Sequence, residues 1–249
     1  MDKRFANLVA VAVGGLGGVL AQTLGLGVAP PRQELFLLSG EAFEFSIVVV
    51  NRGSAEETVR VSLAPFRVTE GGEVERITGE HPLCQALEVR PMFMTLPPGG
   101  GERVLVQGKA PPGEGTLACL ITFTGGERPG GFPGIQLRPA VSVPLYVTLK
   151  GTERPALRVG VSGEENRLAL LLENPGNVLQ RLTGEAQVYG PNGELVVRLP
   201  LGETVVWPGG RRRIFLQTQT PLPTGRYRVV LLLEGRYGRY AAQGEWRVP

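Results

Sequence analysis

The residue types that carry out catalysis or bind metal ions are scarce in this sequence. His81 is the only histidine, so a histidine-rich metal site is impossible and a Ser-His-Asp triad would depend on one residue in a polar loop. No serine stands in a Gly-x-Ser-x-Gly elbow, and the glycine-rich stretches at 14–18 and 99–101 lack the Lys-Ser/Thr pair of a phosphate-binding loop. The sequence therefore predicts no catalytic residues, no metal site and no cofactor, with His81 in a solvated loop.

The two cysteines, Cys84 and Cys119, are the residues best suited to a covalent role. In an oxidising compartment two thiols tend to pair, and Cys119 shares the parity of Leu117 and Ile121, so it should point into a core. A disulfide would close a loop of about 36 residues and stabilise the domain by roughly 3–4 kcal/mol in the chain-entropy model. The alternative is two buried free thiols acting as small hydrophobic side chains.

The N-terminus has the pattern of a secretion signal. Lys3 and Arg4 precede an uncharged apolar run at 5–20, and Val19-x-Ala21 offers small residues before a cleavage at Gln22. The run is shorter than the roughly 20 residues that span a bilayer. We predict a signal peptide at 1–21, a mature chain without a membrane span, and export to the periplasm or cell surface. A retained anchor is the alternative.

Charge argues against nucleic acid as a partner. The formal net charge is only +3, and no long basic run stands beside aromatic residues. Neighbouring carboxylates such as Glu56 and Glu57 point to opposite faces of a strand, which predicts a solvated surface rather than an acid–base pair. The arginines at 211–213 and at 226, 228, 236 and 239, interleaved with tyrosines, predict either a recognition face or a solvent-facing ladder of cross-strand ion pairs.

Two parts of the chain repeat one order of strand and turn signals. The first copy comprises VVVNRG (48–53), LPPGGGERVLVQ (96–107) and PPGEGTLACLITF (111–123). The second comprises LLLENPGN (170–177), WPGGRRRIFLQT (207–218) and PLPTGRYRVVLLL (221–233). Short strands separated by Pro/Gly turns are typical of β-sandwiches. The sequence predicts an all-β chain of two tandem immunoglobulin-like sandwiches, at 27–150 and 155–249.

The end of the first repeat unit is a long alternating strand, predicted over 135–149. Its apolar face consists of Ile135, Leu137, Val141, Val143, Leu145 and Val147. Pro139 and Pro144 interrupt it. Because proline cannot donate to a strand ladder, the strand is expected at a sheet edge or a bulge.

Taken together, these motifs make the first module resemble the N-terminal domain of the PapD-like periplasmic chaperones of pilus assembly. The shared order is a Gly27-Val28 lead, a strand with a turn at 37–40, an apolar strand ending at Asn51, a Pro-Gly turn at 98–99, and the strand at 117–123 before the long strand. The resemblance covers residues 27–150. The second module matches in order and position only.

The resemblance implies a function without catalysis. In that family the long strand pairs with an incomplete pilin by β-augmentation, which assigns partner contacts to Ile135, Leu137, Val141 and Val143. The family also holds the subunit's terminal carboxylate with an arginine on the first strand and a lysine late on the long strand. Those positions hold Glu34 and Pro144 here, and Arg32, on the same face as Glu34, is the candidate substitute.

We therefore expect a non-catalytic assembly chaperone or binding protein of the envelope, with a pilin-like or surface subunit as its protein partner. The alternative is a structural or adhesive surface protein in which the modules form a rigid spacer. The sequence leaves the oligomeric state open.

Overall fold

A computed structural model of the chain describes residues 25–129, 136–164 and 167–249. The predicted signal peptide and Ile135 lie outside the described residues. The chain divides into two compact units. The first holds the described residues up to Phe66, Arg76–Gly113 and Leu117–Lys150, and the second holds Arg67–Glu75, Glu114–Thr116 and Gly151–Pro249. The domain limits 27–150 and 155–249 stay a prediction.

The first half of the chain forms short strands and one helical turn. These elements are β1 (Leu26–Ala29), β2 (Gln33–Leu37), β3 (Ala42–Asn51), β4 (Glu57–Ala64), β5 (Phe66–Val68), β6 (Val74–Arg76), α1 (Pro82–Gln85), β7 (Leu87–Arg90), β8 (Phe93–Leu96), β9 (Gly101–Lys109), β10 (Thr116–Thr124), β11 (Arg128–Pro129), β12 (Gln136–Leu137) and β13 (Ala140–Leu149). Strands β1-β3-β9-β7 form a four-stranded sheet and β2-β13-β10-β4-β8 a five-stranded sheet.

Alternation along the strands builds the first core. Ile47 of β3, Val104 of β9 and Ile121 of β10 are fully buried, and each belongs to the same apolar cluster. Their neighbours in sequence point to the other face of the sheet, as the period of two requires. The two sheets therefore enclose one hydrophobic core, which is the arrangement of a β-sandwich.

The second half of the chain repeats this organisation. Its strands are β14 (Arg158–Glu164), β15 (Arg167–Glu173), β16 (Gln180–Tyr189), β17 (Leu195–Val206), β18 (Arg211–Leu216), β19 (Gly225–Gly235) and β20 (Gly238–Val248). Strands β14-β15-β18 form one sheet and β17-β16-β19-β20 the other. Leu170, Leu231 and Trp246 lie in the core of this unit. The predicted all-β fold of two sandwiches is confirmed.

A buried asparagine fixes one corner of the first unit. Asn51 is fully buried. Its side-chain nitrogen donates to the carbonyls of Ala55 (2.8 Å) and Leu96 (2.9 Å), while its Oδ1 accepts from the Gly53 amide (2.9 Å). The amide is thus satisfied at both ends, as a buried polar group must be.

The same corner recurs in the second unit. Asn174 is also fully buried, and its side-chain nitrogen donates to the carbonyls of Val178 (2.8 Å) and Val206 (3.1 Å). Its Oδ1 accepts from the Gly176 amide at 3.1 Å. The repeated Asn-x-Gly motif therefore forms the same pattern of side-chain hydrogen bonds in both units.

The disulfide predicted from the sequence is present between Cys84 of α1 and Cys119 of β10, with a Cα–Cα distance of 5.3 Å. Cys119 is fully buried, as its parity predicts, and Leu83 beside Cys84 is fully buried too. The bond and the buried leucine together hold α1 on the core of the first unit.

His81 is more ordered than a solvated loop residue, so that expectation needs correcting. It is the N-cap of α1, and its Nδ1 accepts a hydrogen bond from the Leu83 amide at 3.3 Å. Pro82 begins the helix, where proline is favoured because its missing N–H would be unsatisfied anyway. Partial burial lowers the pKa of His81 below its ordinary value of 6.5.

This cap predicts a pH effect on stability. Because the folded state favours uncharged His81, it binds fewer protons than the unfolded chain, so the free energy of unfolding should fall as pH drops through the unfolded pKa of about 6.5. The variant His81→Asn keeps a capping oxygen but cannot titrate. We expect urea midpoints between pH 8 and pH 5 to fall further for the wild type than for this variant. Equal falls would show that His81 does not carry the effect.

Candidate partner-binding edge

Strand β13 is open on one side over only part of its length. It lies between β10 and β2 in the five-stranded sheet. Strand β2 pairs with it in parallel, from Leu145 opposite Gln33 to Leu149 opposite Leu37. The prediction that this strand lies at a sheet edge therefore holds for only part of it, because residues from Leu145 onward lie inside the sheet. We call Ala140–Pro144 the open stretch, since no other described strand pairs with β13 on this side.

Hydrogen bonds at the two ends of β13 show which backbone groups face the open side. The Pro139 carbonyl accepts from the Gly125 amide (2.8 Å), and the Lys150 amide donates to the Leu37 carbonyl of β2 (2.8 Å). Alternate residues of a strand direct their backbone groups to opposite edges. The backbone N–H and C=O groups of odd-numbered residues therefore point toward β10. Those of even-numbered residues point toward β2 or, in the part of β13 that β2 does not reach, toward the open side.

This alternation explains how the strand accommodates Pro144. Its missing N–H points to the open side, one residue before the pairing with β2 begins at Leu145. No bond of the existing ladder is lost there. Ala140 and Ser142 present both an N–H and a C=O to the open side, whereas Pro144 presents a C=O alone. The expectation that prolines mark an edge thus agrees with the structure at this position.

The residues predicted to contact a partner lie in different environments. Leu137 belongs to β12, pairs with Arg128 of β11, and is 47% exposed. Val143 is fully buried and Val141 packs against the core, so neither side chain is presented as a projecting apolar group. The open stretch could therefore contact a partner through its backbone hydrogen-bonding groups, and Leu137 is an exposed apolar side chain close to it in sequence.

A buried carboxylate lies at the start of the open stretch. Glu57 of β4 is only 2% exposed, and its Oε1 accepts from the Gly126 amide at 2.7 Å. A Cβ on Gly125 would lie 2.6 Å from this oxygen and 2.7 Å from Pro139 Cγ, so only glycine fits between them. The expectation of a solvated Glu57 was wrong. Glu57 stands two residues before Val59, which was predicted to point inward, so alternation along this strand already indicated that Glu57 points inward too.

A guanidinium group approaches the open stretch from β6. The Arg76 side chain donates to Thr122 Oγ1 (2.6 Å), and this hydroxyl lies 2.9 Å from Ser142 Oγ. Thr122 is buried at 1% exposure, whereas Arg76 is exposed. This arrangement could not be predicted from the sequence, because Arg76 stands in a polar segment and returns to the sheet only through the pairing of β5 with β6.

A second guanidinium group lies where β2 begins. Arg32 Nε is 3.5 Å from Glu34 Oε1, and the two side chains are 43% and 30% exposed. Glu34 pairs with Tyr146 of β13, which places Arg32, two residues earlier, level with Pro144. Arg32 therefore lies beside the end of the open stretch, whereas Arg76 is linked through Thr122 to Ser142, two residues earlier.

Comparison with solved structures gives the fold. A structure of the chaperone–tip adhesin complex in CFA/I fimbriae biogenesis matches with a TM-score of 0.50 at 11% identity, covering 88% of this chain and 98% of that chain. The YadV chaperone matches at 0.49 and 13% identity, covering 90% and 100%. The CsuC-CsuE chaperone–tip subunit complex of Acinetobacter baumannii matches at 0.48 and 12%, covering 88% and 97%. This chain has the fold of the PapD-like pilus chaperones. No protein-family model and no curated protein matches it.

Residues 34 and 144 are the positions where the resemblance predicts cations. Glu34 forms an ion pair with Arg32, and Pro144 ends the open stretch. Arg32 stays the predicted carboxylate anchor.

Four of the arginines in the second unit form solvent-facing ion pairs. Arg211 pairs with Glu173 (3.2 Å), Arg226 with Glu245 (3.8 Å), Arg239 with Glu234 (3.9 Å), and Arg213 with Glu164. All of these side chains are substantially exposed, so each pair contributes little to stability. Cross-strand ion pairing, the second of the two interpretations, accounts for these four arginines, whereas Arg228 lies over the Tyr189 ring.

The described residues contain neither a cluster that could bind a metal ion nor a helix that could cross a membrane. No group of three or more His, Cys, Asp or Glu side chains in these segments could hold a metal ion. Within the same segments, no helix is long and apolar enough to cross a membrane.

Proposed function

We propose that this chain is a non-catalytic assembly chaperone of the cell envelope that accepts an extended strand of a protein subunit along the open stretch of β13. The observation that supports the proposal is the open stretch itself, where no described strand pairs with β13 on this side before β2 begins. Such an edge binds an extended peptide through main-chain hydrogen bonds.

The geometry limits how a partner strand can bind. An added strand can pair with the backbone groups of Ala140 and Ser142 and with the Pro144 carbonyl, but β2 occupies the same side from Leu145 onward. The added strand must therefore end beside Arg32. A guanidinium group favours a carboxylate at that end, so the partner would run parallel to β13 with its C-terminus at Arg32.

The chemistry of this edge favours a pilin-like or surface subunit that lacks a strand of its own. The predicted signal peptide fits an exported chaperone, which would meet such subunits in the periplasm. The alternative, a structural or adhesive spacer, needs no open edge and would bind no strand.

A peptide-binding experiment tests the proposal. The probe is an N-terminally fluorescein-labelled octapeptide of alternating valine and threonine with a free C-terminal carboxylate, measured by fluorescence anisotropy. Ser142→Pro should weaken binding roughly tenfold or more, because it removes an N–H from the open side and introduces a ring there. Ser142→Ala removes only the hydroxyl and should bind within about twofold of the wild type, since the main-chain bonds remain.

Thermal melts of both variants establish that they fold. Equal affinity of the two variants, or no binding of the peptide to the wild type, would contradict strand acceptance at this edge and favour the spacer.

A further inference from the structure

The buried Glu57 carboxylate lies just beyond the ends of β10 and β13. Gly125 follows the last residue of β10, and its amide donates to the carbonyl of Pro139, which precedes the first residue of β13, at 2.8 Å. The next amide, that of Gly126, donates to Glu57 Oε1 at 2.7 Å. A side chain of β4 therefore holds the backbone segment that in turn holds Pro139.

The chain is tightly packed around this carboxylate. Glu57 is 2% exposed, and Pro139 is buried. Gly125 lies between them with no space to spare, since a Cβ there would lie 2.6 Å from Glu57 Oε1 and 2.7 Å from Pro139 Cγ. A displacement of the Glu57 side chain would therefore be transmitted through Gly125 to Pro139.

The residue type at position 57 needs an explanation beyond core packing. Val59 and Val61 share the inward face of β4 with Glu57 and are buried apolar residues. Burying a carboxylate is unfavourable unless hydrogen bonds compensate for the lost water. The hydrogen bond to Gly126 gives a reason for a polar acceptor at this inward-facing position.

We propose that Glu57 is a positioning residue that fixes the start of the open stretch for a partner strand. The inference rests on the proposed function. Pro139 directly precedes Ala140, whose backbone N–H and C=O face the open side. An edge that is already held in place does not have to be ordered on binding, which raises the affinity. Because Glu57 is buried, it acts through Gly125 and Gly126 rather than by touching the partner.

Native-state hydrogen exchange tests the positioning without a ligand. Glu57→Leu removes the acceptor, whereas Glu57→Gln keeps an acceptor oxygen. In Glu57→Leu the Gly125 amide should exchange roughly tenfold faster relative to the Ile121 amide of β10, and in Glu57→Gln the ratio should stay within about twofold of the wild type. Equal acceleration at Gly125 and Ile121 would indicate a general loss of stability. Acceleration at Gly126 alone would indicate a lost hydrogen bond without release of Pro139, and either result would overturn the inference.

Peptide binding tests whether this position matters to a partner strand. Glu57→Leu should weaken binding of the labelled octapeptide roughly three- to tenfold, and Glu57→Gln should stay within about twofold of the wild type. Val104→Ala is the matched control, because it truncates a fully buried side chain of β9 in the other sheet. It should destabilise the same unit and leave the affinity unchanged.

Gly125→Ala approaches the same contact from the other side and decides the question if Glu57→Leu does not fold. It keeps the carboxylate but places a Cβ against both Glu57 and Pro139, so it should weaken binding by a similar factor. Affinities of Glu57→Leu or Gly125→Ala no lower than that of Val104→Ala would overturn the inference and leave strand acceptance intact. No binding of the peptide to the wild type would overturn the proposed function, and the inference with it.

Discussion

Reduction of the Cys84–Cys119 disulfide is expected to lower the free energy of unfolding of the first unit by roughly 3–4 kcal/mol. The two cysteines are separated by 35 residues, and β7, β8 and β9 all lie within the loop that the bond closes. Releasing that loop restores conformational freedom to the unfolded chain. Because domains are stable by only about 5–15 kcal/mol, this loss is a large fraction of the whole.

The position of the tryptophans allows the two units to be followed separately. Both tryptophans, Trp207 and Trp246, belong to the second unit, so their fluorescence reports its unfolding. Amide hydrogen exchange at Ile121 reports the first unit. In urea with a reductant, or in Cys84→Ala/Cys119→Ala, protection at Ile121 should fall while the tryptophan midpoint stays constant. An equal shift in both signals would contradict a stabilisation confined to the first unit.

Replacement of Gly244 by alanine is expected to destabilise the second unit by about 1–3 kcal/mol or more. A Cβ at Gly244 of β20 would lie 2.2 Å from the Val161 carbonyl oxygen of β14. Opposite, a Cβ at Gly163 would lie 2.1 Å from Trp246 Cδ1. Since β14 and β20 approach each other through their backbones, the clash cannot be relieved by rotating a side chain, and one strand must move.

Gly202 provides the matched control. It also lies in a strand, β17, but nothing stands within 4 Å of the position of its Cβ. Gly202→Ala should therefore be neutral or stabilise slightly, by up to about 1 kcal/mol, through the lower entropy of the unfolded chain. Urea midpoints from tryptophan fluorescence compare the two variants. Similar midpoints for both would show that β14 and β20 are not in close contact in solution.

Local signals predicted much of this fold because they recur. The Asn-x-Gly corners at Asn51 and Asn174 could be inferred in both units from the repeated turn and strand pattern. The inward parity of Cys119 was equally readable, since it depends only on alternation along one strand. These features are decided by residues close together in sequence.

Features that depend on distant residues were not predictable in the same way. Nothing in Gln33–Leu37 specifies that β2 pairs with β13 in parallel, yet that pairing shortens the open edge. The hydrogen bond of Glu57 to Gly126 joins residues 69 positions apart. Arg76 reaches Thr122 only because the β5–β6 hairpin returns the chain to the sheet. The candidate site is built mainly from such contacts. The strand β13 could therefore be predicted from the sequence, but the residues that surround it could not.

The shortness of the open stretch also limits how strongly two copies of the chain could pair through this edge. Long, flat, uncovered strand edges template aggregation, and proteins protect them by keeping them short or by placing proline there. Here β2 covers β13 from Leu145 onward, and Pro144, at the end of the open stretch, has no backbone N–H to donate. Two copies pairing through this edge would gain few main-chain hydrogen bonds. Under the proposed function, a subunit strand would gain the same bonds and also place its terminal carboxylate beside Arg32, so the short edge would disfavour self-association more than partner binding.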